Sequence, residues 1–541
     1  MESLIAKSMN SSIALATSVA VIVGYFVLRR RSTIRNIPGP PCHSWIYGAD
    51  FLVSNMSLAE RILGNMLEVA FTPTYGEHEF LWQKAYGSVY RFTGCFGDER
   101  LMVADPMALQ YILNSPHFAL SSLMQNMIDL VFGEHSLIGL RGQTHKRIRN
   151  EFNIGFTAAA VRDYQPIFEK FAQATSQQLE ASDAEIVDIS PLLGKATVAA
   201  IAEATLGYSL EELGEAYQTA NAEIMTGAAY HSPGEYLFGT MMMRLPPWLL
   251  RVVINLPTKA FDAIRRTRSL ALQIGARAVQ GKQALAQQGL DIDTDLFGLL
   301  LDPQNSDTTR DKLTSEEIIS QTGTMMVAGH ETTTNTMLFG LLELAKNAEL
   351  QDELRAEIHS MAGAGDNHAY DSMPLLNAFI KESLRFYPAE PSTERMALQD
   401  TVIPLSEGLT TISGERISQI PVRKGQIVIV GIASYQRHDL RWGENPNVFR
   451  PARWLEGTVS KGDAIGPYSN LLTFLGGPHT CLGWRFALLE MQVVICELIG
   501  KFSFALPEDE NDRVIARRTN TLQPTLPNGK KGVPLRVTRV L

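Results

Sequence analysis

The sequence predicts a mainly α-helical protein with small β-sheets. Stretches with apolar residues at helical spacing fill the chain from about residue 155 to about residue 390, whereas strand-like runs come early, at Ser88–Phe92 and Arg100–Val103. No flexible linker, low-complexity tract or repeat interrupts the chain after residue 50. We therefore expect one large domain that follows a separate N-terminal segment.

The composition excludes several classes of protein. The chain has 541 residues, of which 45% are hydrophobic and 19% charged, values that are ordinary for a globular enzyme. Its net charge of −9 argues against a general nucleic-acid-binding protein, so we expect no nucleic-acid partner. The four cysteines are too few and too scattered for a disulfide framework, and none has the spacing of a zinc site. The large domain is therefore expected to be cytosolic.

The N-terminal segment has the pattern of an uncleaved membrane anchor. Ser11–Leu28 carries no charge and would span about 27 Å as a helix, close to the roughly 30 Å of a bilayer's hydrocarbon core. Arginines follow it, so the positive-inside rule places the rest of the chain in the cytosol. A signal peptide would carry its charge before the apolar run. We expect a single-pass anchor over residues 1–35 and a catalytic domain over residues 36–541.

Two further segments bear on membrane attachment. Asn36–Pro41 is a stiff, proline-rich stretch that would end the anchor helix and fix its angle to the domain. Leu245–Pro257 is apolar but too short and too interrupted to span a bilayer. It could lie in the membrane interface or form a core-facing helix, and Trp248 and Arg251 suit either arrangement.

The segment Thr314–Leu350 has a long helical pattern, opened by a capping-box signature with Glu317. It contains residue types that a plain helix avoids, because glycine costs about 1 kcal/mol relative to alanine and threonine is stiff. We interpret Gly329 as loosening the helix so that a small molecule such as dioxygen fits beside it. The Thr332 hydroxyl could then donate to the bound oxygen, and Glu331 could relay protons from solvent.

Cys481 lies between a glycine-rich loop and a helical pattern. Gly476, Gly477 and Gly483 let the backbone adopt conformations and close approaches that a side chain would forbid. A thiol at a helix N-terminus faces unpaired N–H groups, so we expect Cys481 to ionise more readily than a free thiol and to bind a metal as thiolate. A lone cysteine is more often a buried, apolar-like side chain. The full spacing of the loop decides between these interpretations.

The loop resembles the haem loop of the cytochrome P450 monooxygenases. Its pattern, Phe-x-x-Gly-x-(Arg/His)-x-Cys-x-Gly, is matched by Phe474, Gly477, His479, Cys481 and Gly483. The resemblance covers nearly the whole chain from Pro38 onward and implies the cytochrome P450 fold. It also implies a haem b cofactor whose iron is ligated by the thiolate of Cys481, with the other four residues binding the cofactor.

A second motif resembles the same family's oxygen-activating helix. Ala328–Thr332 matches the family pattern (Ala/Gly)-Gly-x-(Asp/Glu)-Thr. In that family the acid and the threonine deliver the protons that drive cleavage of the oxygen–oxygen bond. The resemblance therefore implies a catalytic role for Glu331 and Thr332.

A third motif, Glu-x-x-Arg, occurs in many unrelated proteins and is informative only with its sequence context. Glu382 and Arg385 have the spacing of a pair on one helix face, and an isolated pair would be an ordinary surface ion pair. They precede Phe449–Trp454, which resembles the segment that completes the family's Glu-Arg-Arg triad. The resemblance implies a buried structural triad of Glu382, Arg385 and Arg453, in which loss of one partner would cost roughly 3–5 kcal/mol.

The haem propionates need cationic partners, and here the chain departs from the family pattern. The family places Trp-x-x-x-Arg on an early helix and an arginine two residues before the cysteine. This chain has His145, Arg149 and His479 at those positions, and Arg395 keeps its match. The arginines are permanently charged, whereas a histidine loses its charge near neutral pH. The resemblance implies that these four residues bind the cofactor.

The expected reaction is monooxygenation that depends on dioxygen and NADPH. No Gly-x-Gly-x-x-Gly opens a strand-turn-helix, so a separate reductase must supply the electrons. The resemblance implies that this partner is the membrane-bound NADPH–cytochrome P450 reductase and that NADPH acts only through it. Lys146, Arg147 and Arg485 could meet its acidic surface or form a solvated face. A reductase-independent peroxygenase or isomerase, and a non-catalytic membrane-tethered haem sensor or carrier, are the alternatives.

The expected substrate is a lipophilic small molecule. Three segments should line its pocket: Phe118–Phe132, Met325 with Met326, and Ala389–Thr393. Methionines and other apolar side chains favour a ligand held by apolar contact. The chain looks most like fungal members of the family, which suggests secondary metabolism, with terpenoid hydroxylation as a specific expectation. The anchor predicts the endoplasmic reticulum membrane and contact with its lipids.

Overall fold

The computed structural model describes residues 32–42, 62, 64–72, 74–227, 232–288, 295–302, 312–362, 370–459, 464–519 and 521–540. The predicted anchor helix Ser11–Leu28 lies outside the described residues. Within the described ranges, Ile189–Leu206 is the one helix whose length and composition would let it cross a membrane. Because 67% of it is buried inside the protein, it is a core helix.

The proline-rich segment Asn36–Pro41 lies against the domain. The N–H of Arg91 donates to the Pro38 carbonyl at 2.9 Å, and the N–H of Ile412 donates to the Asn36 carbonyl at 2.8 Å. A Cβ at Gly39 would lie 1.7 Å from the Arg91 carbonyl oxygen, so only glycine permits this approach. The segment is therefore packed onto the folded domain, as is Ile34 before it, whose side chain is buried.

Helices make up most of the described chain. Their bounds are α1 Met66–Ala70, α2 Glu77–Tyr86, α3 Pro106–Asn114, α4 Ser122–Val131, α5 Gly142–Phe152, α6 Ala158–Asp163, α7 Gln165–Glu180, α8 Ile189–Leu206, α9 Leu210–Leu213, α10 Glu215–Gly227, α11 Pro233–Met243, α12 Pro247–Val253, α13 Lys259–Gln287, α14 Leu296–Leu301, α15 Ser315–Ser320, α16 Thr322–Lys346, α17 Ala348–Ala362, α18 Pro374–Phe386, α19 Ile432–Tyr435, α20 Asp439–Trp442, α21 Ala452–Leu455 and α22 Trp484–Lys501.

The strands form small sheets. Their bounds are β1 Val89–Thr93, β2 Glu99–Val103, β3 Phe118–Ala119, β4 Ile186–Asp188, β5 Ser392–Ala397, β6 Thr401–Thr410, β7 Arg416–Val422, β8 Ile427–Gly431, β9 Phe502–Ala505, β10 Ile515–Arg518, β11 Leu522–Thr525 and β12 Pro534–Arg539. The largest sheet has the order β1-β2-β8-β5-β3, and its β2–β8 pair is parallel. The other sheets are β4-β12-β9, β6-β7 and β10-β11. The predicted fold class, mainly helical with small sheets, is confirmed, and both predicted early strands form.

Helix α16 runs through the core and is packed closely on two sides. A Cβ at Gly329 would lie 2.6 Å from Cγ1 of Ile201 on α8, and a Cβ at Gly340 would lie 2.9 Å from the Phe379 ring on α18. The hydroxyls of Thr197 and Thr334 also hydrogen-bond across the α8–α16 contact at 2.7 Å. Helix α16 is continuous through Gly329. Close helix packing therefore explains this glycine, which the sequence led us to interpret as loosening the helix.

The predicted single helix over Thr314–Leu350 was wrong in its extent. The capping box of Thr314 and Glu317 is present, but it opens the short helix α15. The N–H of Gln321 bonds to the carbonyl of Ile318, three residues back, which tightens the chain before α16 begins. At the far end Asn347 leaves the helical conformation, and its side chain accepts the Leu350 N–H at the start of α17.

The structure brings Glu382, Arg385 and Arg453 together in the core. Arg385 donates to both carboxylate oxygens of Glu382 at 2.8 Å, and Nε of Arg453 donates to one of them at 3.0 Å. Trp454 Nε1 and the backbone N–H of Arg450 also donate to this carboxylate, at 3.0 and 2.7 Å. All three charged side chains are buried. Burial opposes ionisation, but the two arginines hold the pKa of Glu382 below its ordinary value.

Helix α18, which carries two members of this triad, also supports the loop before Cys481. The Leu384 carbonyl accepts hydrogen bonds from the Thr473 hydroxyl at 2.7 Å and from Nε2 of Gln436 at 3.1 Å. The side-chain oxygen of Gln436 in turn accepts a hydrogen bond from the Leu472 N–H at 2.8 Å. A fixed α18 therefore fixes the start of the cysteine loop.

Candidate functional site

A cavity of about 2490 Å³ lies between α16, α4, the segment after α18 and the cysteine loop. It is larger than an ordinary ligand pocket of roughly 300–1,000 Å³, so it has room for a large cofactor and a second molecule. Residues from all three predicted pocket segments line it, including Phe118, Met325 and Ala389. Met326 does not line it, because its side chain packs in the hydrophobic core.

The Cys481 side chain is exposed to this cavity at the end of a turn held by its own backbone. The Cys481 N–H donates to the Phe474 carbonyl at 2.8 Å, and the Thr480 hydroxyl donates to the Gly477 carbonyl at 2.7 Å. Gly477 has φ of 70°, and a Cβ there would lie 2.4 Å from the Leu113 carbonyl oxygen. The loop therefore requires glycine at this position both for its conformation and for its contact with α3.

The electrostatics of the thiol differ from our expectation. Helix α22 begins at Trp484 with Gly483 as its N-cap, so Cys481 precedes the helix rather than starting it. Burial raises the pKa of the thiol, although the Gly483 N–H and the Arg149 charge oppose this. The prediction that the protein makes this thiol ionise more readily was therefore wrong. Both opposing groups favour the thiolate, and a bound metal cation would favour it further.

Four predicted cofactor-binding side chains meet at one edge of the cavity. His145 and Arg149 project from α5, Arg395 from β5, and His479 from the cysteine loop. The two imidazole rings lie against each other with centroids 4.1 Å apart. Burial lowers the pKa of His145. Burial, the neighbouring His145 and three arginines together lower the pKa of His479 to about 4. Both histidines are therefore uncharged at neutral pH in this arrangement.

Arg141 joins this cluster and was not predicted from the sequence. It lines the cavity at the N-cap of α5 and donates to the Leu120 carbonyl at 3.2 Å. Its charge lowers the pKa values of Arg395 and His479. The i,i+4 spacing of Arg141, His145 and Arg149 was the signal that could have identified it, because such residues share a helix face.

The residues present fit a haem. Burial, followed by the Arg141 charge, lowers the pKa of Arg395 to about 10, and burial also lowers that of Arg149. Neither arginine forms a salt bridge within the part of the chain that the structure describes. Both charges can therefore pair with an anionic group of a bound cofactor. Carboxylates of a haem would supply that partner, and the sulfur of Cys481 faces the same cavity as a ligand for iron.

Removing these permanent charges should weaken haem binding. For Arg149→Ala and Arg395→Ala we expect haem to dissociate about ten- to a hundredfold faster, since a hydrogen bond to a charged group contributes about 1.5–3 kcal/mol. The rate of haem transfer to apomyoglobin measures this effect. Arg162→Ala, which removes an exposed arginine outside the cavity lining, is the control. Dissociation as slow as in Arg162→Ala would contradict the assignment.

Glu331 and Thr332 lie on α16 and line the same cavity. The Thr332 hydroxyl donates to the Ala328 carbonyl at 2.9 Å. The Glu331 carboxylate is buried and accepts hydrogen bonds from Nε2 of Gln523 at 2.7 Å and Nζ of Lys531 at 3.3 Å. Burial raises the pKa of Glu331, and its two partners oppose that rise. Sequence reasoning missed both partners, which are about two hundred residues distant along the chain.

The predicted basic surface is only partly available. Lys146 and Arg485 are exposed, and Arg485 lies over the Trp484 ring at 4.1 Å. Arg147 is half-buried and forms a two-pronged ion pair with Glu317 at the start of α15. Two of the three predicted cations therefore present their charge to solvent.

Comparisons with known proteins identify the family of this chain. The family model "Cytochrome P450" matches residues 59–530. Cytochrome P450 monooxygenase 212 of Postia placenta is 30% identical over 520 residues, which cover 89% of this chain and 90% of the relative. Cytochrome P450 monooxygenase claO of Ampulloclitocybe clavipes is 28% identical over 85% of this chain and 87% of its own. The solved structure of a cyanobacterial CYP120A1 with bound retinoic acid has a TM-score of 0.66 at 20% identity, covering 88% of this chain and 97% of that one.

Proposed function

This chain belongs to the cytochrome P450 family and is a haem-thiolate monooxygenase, and on that premise we propose that it inserts one oxygen atom into a lipophilic small molecule with electrons from a separate NADPH-dependent reductase. The haem, when bound, supplies the iron at which dioxygen is activated. The observation that carries the proposal is the cavity, in which one wall presents the Cys481 thiol with its cationic cluster and another presents Glu331 and Thr332.

We assign the axial ligand to Cys481. Cys95 also lines the cavity, but its thiol is buried against the Thr240 hydroxyl, and the sulfur of Cys496 lies 3.8 Å from that of Met373 in the core. Only Cys481, among the cysteines that the structure describes, combines exposure to the cavity with a backbone N–H and an arginine acting on its sulfur.

We assign proton delivery to Glu331 and Thr332. The Thr332 hydroxyl now bonded to Ala328 can rotate to donate into the cavity, and the raised pKa of Glu331 brings this carboxyl closer to the working pH of a general acid. Lys531 and Gln523 hold the carboxylate in place. These two residues therefore position the acid rather than meet the substrate.

Loss of either proton donor should uncouple the reaction. For Thr332→Val and Glu331→Gln we expect NADPH oxidation to continue while the fraction that yields product falls about a hundredfold, which is the order of a lost general acid. Hydrogen peroxide released per NADPH oxidised is the measurement. Thr333→Val removes the neighbouring hydroxyl and should keep wild-type coupling. Equal coupling in all variants would contradict the assignment.

The proposed electron donor is the membrane-bound NADPH–cytochrome P450 reductase. Lys146 and Arg485 support a docking surface for an acidic partner, because both are exposed and flank the cysteine loop in α5 and α22. Turnover that persists with peroxide and without reductase would favour the peroxygenase reading. If added substrate failed to accelerate NADPH consumption, that result would favour the non-catalytic haem sensor or carrier.

We further propose attachment to the endoplasmic reticulum membrane through Ser11–Leu28, with the α12 region touching lipid. Trp248 is 66% and Val252 62% exposed, and Phe238 and Leu256 are also exposed, which favours the interfacial arrangement over the core-facing one. Leu250 is buried and attaches the segment to the domain.

The substrate class is proposed as a terpenoid or similar lipophile of fungal secondary metabolism. The support is an apolar cavity wall and relatives from the fungi Postia placenta and Ampulloclitocybe clavipes. The test is extract profiling of a host that co-expresses the chain with its reductase under ¹⁸O-labelled dioxygen. A product that carries one labelled atom is expected. Products without label would contradict monooxygenation.

A further inference from the structure

Glu390 is a carboxyl group in the cavity wall that the proposed reaction does not use. It lies between two residues whose backbone is fixed by hydrogen bonds. The N–H of Leu522 donates to the Ala389 carbonyl and the N–H of Ala433 to the Pro391 carbonyl, both at 2.8 Å. Ala389 and Pro391 are buried, whereas the Glu390 side chain is exposed and lines the cavity. The fold therefore directs this carboxyl into the cavity.

The Glu390 carboxyl lies in the cavity and has no bonded partner among the residues that the structure describes. Burial, opposed by the Arg518 charge and aided by the Glu331 charge, raises its pKa to about 8. No hydrogen bond or salt bridge reaches it from the residues that the structure describes. Arg518 instead pairs with Glu79 and donates to the Ser392 hydroxyl. The exposed area of Glu390 is thus the inner surface of the cavity rather than the outer surface of the protein.

An unpartnered polar group costs stability when a ligand removes its water, typically about 1–3 kcal/mol. A site of this kind rejects a molecule that cannot restore the hydrogen bond and accepts one that can. Much of the cavity wall is apolar, with Phe118, Leu123 and Phe132 among its residues. One polar group in an apolar wall fixes the orientation of a ligand and selects its polar substituent.

We propose that Glu390 hydrogen-bonds an uncharged oxygen group of the substrate, a hydroxyl or a carbonyl, and so selects oxygenated lipophiles over hydrocarbons. This inference rests on the proposed function and names the substrate class for the same cavity. Charges of both signs, Arg518 and Glu331, act on Glu390, so neither a cationic nor an anionic substituent is favoured by them over an uncharged one. A carboxylic acid can donate to a carbonyl or accept from a hydroxyl, so it suits both oxygen groups.

Spectral titration of the haem-loaded full chain tests this inference. Two pairs of probes differ by one hydroxyl: n-dodecane with 1-dodecanol, and 5α-androstane with 5α-androstan-3β-ol. We expect the wild type to bind at least one alcohol about tenfold more tightly than its hydrocarbon, which is the effect of one hydrogen bond to a buried acid. Glu390→Leu should abolish this preference, and Glu390→Gln should retain part of it, because its amide still bonds to oxygen.

The outcomes separate the inference from the function on which it rests. An alcohol preference that is absent from the wild type or unchanged in Glu390→Leu overturns the inference alone. Tighter binding of dodecyltrimethylammonium or dodecanoate than of 1-dodecanol to the wild type overturns the choice of an uncharged group. Binding of none of the probes to either protein overturns the lipophilic-substrate proposal, and the inference with it. An unchanged Soret band in the ligand-free variants shows that the haem site is intact.

Discussion

Cys481→Ala is expected to abolish the strongly red-shifted Soret band of the reduced carbon monoxide complex and, with it, NADPH-dependent turnover. A thiolate of Cys481 that ligates the haem iron would donate electron density to it, and that donation would cause both the spectral shift and the favoured cleavage of the oxygen–oxygen bond. In this chain the sulfur faces the cavity and accepts the Gly483 N–H. The measurement is the reduced carbon monoxide difference spectrum of purified wild type and variant.

Cys95→Ala is the matched control for this prediction. Cys95 also lines the cavity, and its thiol is held by Thr240 rather than by the haem loop. The control should keep the red-shifted band and its haem content. A red-shifted band in Cys481→Ala, or its loss in Cys95→Ala alone, would contradict the assignment of the ligand.

The sequence predicted best those features whose chemistry depends on residues close together in the chain. The spacing from Phe474 to Gly483 encodes the whole cysteine turn, including the left-handed Gly477 and the Cys481–Phe474 hydrogen bond. Glu382 and Arg385 are one helix turn apart, so their pairing also follows from spacing. Strand β1 was predictable because β-branched and aromatic residues are concentrated there.

Features that depend on distant parts of the chain could not be read in the same way. Glu331 is held by Gln523 and Lys531. These two residues reach α16 only because β11 and the segment after it pack against that helix. The reason for Gly329 is Ile201 on another helix, and the raised pKa of Cys481 comes from burial by many elements. Spacing along the sequence contains no signal for these effects.

Glu382→Gln should destabilise the folded protein by roughly 3–5 kcal/mol, because it leaves two buried arginines with an uncompensated charge. Arg385 and Arg453 are each at most 1% exposed, and both face the same carboxylate. Because α18 also supports the cysteine loop through Leu384, haem should be lost in the same unfolding transition. The measurement is a urea titration followed at once by circular dichroism and by Soret absorbance.

The destabilisation by Glu382→Gln should depend on pH, whereas destabilisation by a general packing defect should not. The folded-state pKa of Glu382 is lower than its unfolded-state pKa. Its contribution to the free energy of unfolding is therefore fully present above the unfolded-state pKa and disappears as the pH falls through the folded-state pKa. The difference between wild type and Glu382→Gln should therefore be largest at neutral pH and shrink in acid. Lys346→Gln, which breaks the i,i+3 pair between the exposed Lys346 and the half-buried Glu343, should cost less than about 1 kcal/mol. A Glu382→Gln protein as stable as Lys346→Gln, or a difference that does not depend on pH, would contradict a stabilising role for the triad.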